Sequence, residues 1–298
     1  MRRKIIKQGL GGYTVSLPIS WVREQGLKAR DDILIEEQKG NLIISVSEIR
    51  QNEPKKIKLE IGDTRESAIR TLIVNAYRAG FDHITFHFLG SEKKIFTIVE
   101  TFLLGFDCHV QEKGIFLISS VAEPSIDNFE VMIQRQFYIL ATILKEVFEK
   151  PLEREVHRMQ RYDNFLKRGI TKKRFSASPQ LWQLLSMLNQ VGRIVYHFQR
   201  TVKKEKLAID KQTKEIFLEL YNMCILLQTA YLKKDTSQLY QLDELDQKMH
   251  YQEEIKISKS MHPITFAYFK MISRMIYTTA SPLIGVLHQR MLEVNKST

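Results

Sequence analysis

Two cysteines in 298 residues, Cys108 and Cys224, are too few and too far apart for a disulfide framework, and neither stands at metal-ligand spacing. That pattern fits a reducing compartment and two small buried apolar residues. Long apolar runs are also missing: none reaches the length that spans a bilayer. After "MRRKII" the chain turns polar at Lys7 and Gln8, so no signal-peptide core follows the basic start, and a cytoplasmic location is expected. No glycine-rich phosphate loop is present, because "GLGGY" lacks the lysine and the helix context of a P-loop. "GFDCHV" sets Cys108 beside His109, but neighbours on a strand point to opposite faces, so nucleophile and base could not meet. The expectation is a protein that is not an enzyme and carries no cofactor.

Acid is short relative to base. With 45 Lys and Arg against 34 Asp and Glu, the formal net charge is +11 and the pI about 9.5, which favours anionic partners. The distribution is uneven. Residues 1 to 30 hold Arg2, Arg3, Lys4, Lys7, Arg23, Lys28 and Arg30 against the single acid Glu24, more than half of the excess in a tenth of the chain.

Three segments follow from pattern. In the first, residues 1–48, Tyr13, Val15 and Leu17 alternate as in a half-buried strand. Pro18 pre-sets a helix start, Trp21 and Val22 supply a short apolar face with Trp21 in the core, and Gly26 ends it. "DDILIEE" and "NLIISVS" read as a hairpin around Gln38 to Asn41. A unit this small, with one short helix and four short strands, lacks a sufficient core and should interleave with a second copy. Residues 49–56 form a polar linker. The second segment, 57–121, reads strand, helix, strand, helix, strand, strand: a small α/β domain, with Asp63 and Glu66 as a capping box, helix stops at Gly80 and Gly105, and a hairpin near Lys113 and Gly114. The third, 124–298, is helical. Pro179 and Pro263 open long helices 84 residues apart, and Pro151 and Thr236, 85 apart, begin the helices before them. Two three-helix repeats follow, about 124–206 and 208–298. The fold class expected is a multidomain α+β protein.

"TVSLPISW" and "GLKARDD" resemble the AbrB/SpoVT swapped-hairpin DNA-binding domain over residues 1 to about 48, with Arg30 where that family usually has glycine. The resemblance implies a β barrel closed by two chains, with basic side chains meeting DNA. The helical tandem resembles PhoU, the phosphate-uptake regulator with two metal-bearing three-helix repeats. Archaeal proteins joining such a head and body through an α/β domain with a "GxD" strand, here Gly105, Phe106, Asp107, look similar end to end. The implied function is a homodimeric, or larger, DNA-binding transcriptional regulator of phosphate homeostasis. In a different class stands an adaptor whose helical body docks on a transporter ATPase or kinase.

On that basis Arg2, Arg3, Lys4 and Lys7 are expected to grip phosphates of double-stranded DNA, and Arg23, with Gln8 and Tyr13, to reach base edges. The PhoU metal motifs do not carry over. Second-helix "ExxxD" becomes Glu153 to His157 and Asp246 to His250, and the third helices keep Arg193 and Arg274 but end on Tyr196 and Tyr277. Multinuclear sites need several carboxylates, so no metal is expected; Glu153 with His157 and Asp246 with His250 are weak candidates, read first as surface pairs. His83 and His87 share a strand face and read as ordinary strand histidines. A second basic run, Arg158, Arg161, Lys167, Arg168, Lys172, Lys173 and Arg174, is either an exposed helix face or a contact surface for DNA, an acidic partner or lipid.

Overall fold

A computed structural model describes residues 3–9, 11–38, 41–46, 54–62, 65–122, 128–172 and 179–294, and divides into two units, Met1–Pro54 and Lys55–Thr298. The protein is α+β and mostly helical.

The first unit contains β1 (Ile6–Gln8), β2 (Gly12–Thr14), α1 (Ile19–Glu24), β3 (Leu34–Gln38) and β4 (Asn41–Ser45). β1 pairs only with β2 and β3 only with β4, both antiparallel, so the expected barrel is not closed among the described residues of one chain. The strand read through Val15 and Leu17 stops at Thr14, because β1 offers just three residues to pair with. α1 ends where Gly26 takes a left-handed φ of 66° and Leu27 N–H donates to the Val22 carbonyl at 3.0 Å, a Schellman closure. Among the described residues of this unit no apolar side chain is buried. Trp21, read as core, is half-buried, since nothing in one chain covers α1.

The second unit begins with β5 (Lys56–Glu60), α2 (Glu66–Arg78), β6 (His83–His87), α3 (Glu92–Phe102), β7 (Phe106–Glu112) and β8 (Ile115–Ser120). The sheet order is β5-β6-β8-β7, with β5 and β6 parallel and the other pairs antiparallel. Alternation places Ile84 and Phe86 of β6 and Phe116 and Ile118 of β8 in a core with Ile69, Ile73, Ile95 and Phe102 of the two helices. Gly80, Gly105 and Gly114 all have positive φ, which is why the chain turns at each. The capping-box expectation rests on Asp63. α2 starts at Glu66 itself with Arg65 at the N-cap and no side-chain cap, and Asp63 lies outside the described residues.

The remaining helices are α4 (Asn128–Lys145), α5 (Glu153–Thr171), α6 (Pro179–Glu205), α7 (Lys211–Lys233), α8 (Gln238–Gln247), a π turn (Lys248–Gln252), α9 (Glu254–Ser260), α10 (Pro263–Thr278) and α11 (Ala280–Val294). Pro263 sits in the first turn of α10, where its missing N–H costs nothing, and the His262 ring accepts from Ile264 N–H. One continuous apolar cluster, from Phe129 to Leu287, runs through both halves of the helical body. No described helix is long and apolar enough to cross a membrane.

Candidate nucleic-acid interface

The β1–β2 hairpin is short, and its register decides which side chains share a face. Lys7 lies directly opposite Tyr13, so a cation and an aromatic ring project together, whereas Gln8, opposite Gly12, projects from the other face. Arg3 and Lys4 lead into β1 and are exposed. Arg23, in the last turn of α1, is exposed as well. Arg2 lies outside the described residues. Exposed Lys and Arg of this kind neutralise phosphates without needing a preformed pocket. Arg30 adopts φ 81°, the conformation a glycine would take, and Asp31 steadies this turn by accepting Lys28 N–H at 2.7 Å.

The second basic run is not a free surface in its described part. Lys167 and Arg168 are buried. Arg168 donates through Nη1 to the carbonyls of Tyr77 (3.1 Å) and Phe81 (2.8 Å) and through Nη2 to Asp82, between the rings of Tyr77 and Phe106. Lys172 reaches the same Asp82 oxygen at 2.7 Å. Burial alone would raise the Asp82 pKa, but the hydrogen bonds from Lys172 and from Lys55 N–H, with the charges of Lys172 and Arg168, bring it below its ordinary value. One turn back, Asp163 is fully buried and receives Arg78 (2.9 Å), Lys167 (2.8 Å) and Asn189 (2.9 Å), while Asn164 binds Arg78 Nε and the Phe102 carbonyl. Arg158 pairs with Glu155 and Arg161 reaches the Glu100 carbonyl. Lys173 and Arg174 lie outside the described residues. Arg161, Arg168 and Lys172 thus clamp the α/β domain onto α5 rather than standing free as an exposed face.

Of the weak metal candidates, Asp246 and His250 approach one another, Oδ1 to Nε2, at 3.6 Å. His157 rests edge-on against Phe102, with ring centres 5.1 Å apart, and its pKa is lowered mainly by burial; Glu153, on the preceding turn, is exposed. Asp246 and His250 are buried, contrary to the surface pair expected. Arg274 holds Asp246 at 2.6 Å, and His250 Nε2 lies 2.7 Å from Ser273 Oγ, which donates to the Phe269 carbonyl. Among the described residues no three His, Cys, Asp or Glu side chains converge as a metal site would require. His83 and His87 share the open sheet face, half-buried and exposed respectively. Burial pushes both thiols up to about 12, with Asp107 adding to the effect at Cys108.

Compared with family models, curated proteins and solved structures, the chain matches none of them.

The buried polar centres escaped the sequence reading, although a signal existed. Asp163 and Asp246 stand 83 apart, as do Lys167 and His250, and Asn189 and Ser273 stand 84 apart, the same interval as Pro179 and Pro263. Both halves therefore place an acid, its i+4 partner and a third-helix polar residue together. Arg193 and Arg274, 81 apart, break that register: Arg274 reaches Asp246, whereas Arg193 is exposed.

Proposed function

We propose that the chain is a homodimeric DNA-binding regulator in which a second copy completes the first unit and the shared surface presents cations to duplex DNA. The observation that carries this is the bare apolar surface of that unit. Ile5, Ile6, Tyr13, Val15, Ile19, Ile35 and Leu42 are all exposed, and none of the described apolar side chains there is buried. Fully covering one such side chain stabilises by roughly 1.5–3 kcal/mol, so mutual burial of even half of them is enough to drive pairing. Arg3, Lys4, Lys7 and Arg23 stay exposed and, doubled by a two-fold axis, suit a polyanion with its own pseudo-dyad. By its resemblances the regulated process is phosphate uptake, the head being of AbrB type and the body of PhoU type.

The test is a gel-shift series across salt with duplex recovered by genome-wide occupancy, using the full chain and the Arg3→Ala, Lys4→Ala, Lys7→Ala variant. Removing one phosphate-neutralising cation should flatten the slope of log K against log salt by about 0.9, so the triple change should flatten it by about 3 per copy. Binding insensitive to salt, or unchanged in the variant, refutes the reading. Sedimentation of the same samples should find no monomer at the concentrations that bind DNA.

A further inference from the structure

A cavity of about 860 Å³ opens at one end of the first helical triplet, between the loop joining α4 to α5, the C-terminal half of α6 and the start of α7. Its apolar side is formed by Phe148, Leu152, Phe198, Val202 and Ile209. Phe148 is only half-buried and is held edge-on by Phe198 and Phe217, at ring-centre distances of 6.0 and 5.2 Å. The wall is pre-formed. Gln199 accepts Leu152 N–H at 3.1 Å and donates to the carbonyls of Val147 and Lys150, both at 2.8 Å, so one amide fixes the whole loop.

Charge around this cavity is lopsided: Lys150, Arg200, Lys203, Lys204 and Lys214 line it against Glu149 and Glu153, and of the five only Lys150, paired with Glu146 at 2.9 Å, and Lys204, paired with Glu205 at 3.0 Å, meet an acid among the described residues. Arg200, Lys203 and Lys204 lie three and four apart on one face of α6. Lys203 and Lys204 also complement the C-terminal dipole of that helix, which by itself would explain them. Lys214 has no such excuse. It lies near the N-terminus of α7, where a cation is disfavoured, and neither it nor Lys203 has an acid partner among the described residues. Cations converging from two helices onto an aromatic-floored, pre-formed hollow are what an anion with a flat apolar body requires. An acyl chain would want an enclosed slot, and this cavity is open to solvent; a lone phosphate would leave most of an 860 Å³ hollow and its aromatic side empty.

We propose that this cavity binds a nucleoside polyphosphate, the base against Phe148 and the phosphates among Arg200, Lys203 and Lys214. The site is independent of the DNA surface. Titration of the full chain with the fluorescent nucleotide mant-ATP tests it, with adenosine, inorganic triphosphate and an oligoglutamate peptide as competitors. ATP should displace the probe at least tenfold more tightly than adenosine or triphosphate alone, because both halves contribute. Lys203→Glu with Lys214→Glu should weaken mant-ATP at least tenfold while leaving the thermal midpoint unchanged, and Val202→Trp, which fills the hollow, should abolish it without altering the charge. The Arg3→Ala, Lys4→Ala, Lys7→Ala variant should bind as the parent does, whatever its affinity for DNA. No probe binding at 1 mM, equal competition by triphosphate, preferential displacement by oligoglutamate, or undiminished binding in both cavity variants overturns the proposal.

Discussion

Replacing Arg168 with Met tests whether the clamp holds the α/β domain to the helical body. Methionine fills much of the volume and keeps the contact with the Tyr77 and Phe106 rings, so the loss is mainly polar. Among the described residues three acceptors are affected: the Phe81 carbonyl, the Asp82 carboxylate and the Tyr77 carbonyl, which keeps the Gly80 N–H at 3.0 Å. Removing one member of a buried ion pair costs about 3–5 kcal/mol, and Lys172, still bound to Asp82, moves the figure toward the low end. A carbonyl left without a donor adds about 1–3 kcal/mol, but these costs share one site and do not sum. About 4 kcal/mol is the expected total. At roughly 2–4 °C per kcal/mol for a unit of this size, the midpoint should fall by about 8–16 °C. Scanning calorimetry measures it, with Arg154→Met, an exposed position on the same helix, as the control expected within about 1–2 °C of the parent. A fall for Arg168→Met no larger than the control's would mean that the pair merely coexists with an interface held by apolar packing.

Other outcomes follow from single residues. Arg30→Gly should raise stability by about 0.5–1 kcal/mol, since relief of the left-handed φ exceeds the entropy glycine adds to the unfolded chain; urea unfolding followed by Trp21 fluorescence in a Trp182→Phe background checks it, and a lowered midpoint contradicts it. Burial lowers the pKa of His157, His197 and His250, with nearby arginines adding to it and, at His157 and His250, acids opposing. The unfolded chain therefore takes up protons first, so stability is complete above about pH 6.5 and declines as pH falls below it. Thermal midpoints between pH 7.5 and 5.5 should decline, less steeply in His250→Gln; a rise on acidification would reverse the sign. Asp82, whose pKa is lowered, adds its loss only below about pH 4, so that decline belongs to histidine.

Much of the fold was legible because local chemistry and global outcome agree where hydrophobic period and glycine placement coincide. Gly80, Gly105 and Gly114 mark turns that only a residue without Cβ takes easily, and the order of elements in the α/β domain follows from them. The helical spacing of Phe129, Met132, Ile133, Phe137, Leu140 and Leu144 is the buried face of α4. What the sequence hid was burial of charge. Lys167 and Arg168 look like any solvated pair, but the groups that enclose Arg168, Asp82 and Tyr77, lie 86 and 91 positions away, and Arg78 comes from 85 positions away to share Asp163 with Lys167. Periodicity reports which face of a helix meets apolar neighbours and is silent on a carboxylate delivered by another element. The first unit misled for a related reason: alternation at Tyr13, Val15 and Leu17 describes a strand that needs a longer neighbour than β1 supplies. For the residues proposed to meet DNA, the cross-strand pairing of Lys7 with Tyr13 lay in the register, which no propensity encodes.

The 19 residues of α5 span about 28 Å. Its first turn borders the open hollow at Glu153, and its last turn is bolted to the sheet through Arg168 and Lys172. One unbroken helix therefore has its start held beside the hollow, where Gln199 fixes Leu152, and its end held beside β6, where Asp82 fixes Arg168, so neither neighbour can shift along the axis without loading the other's hydrogen bonds.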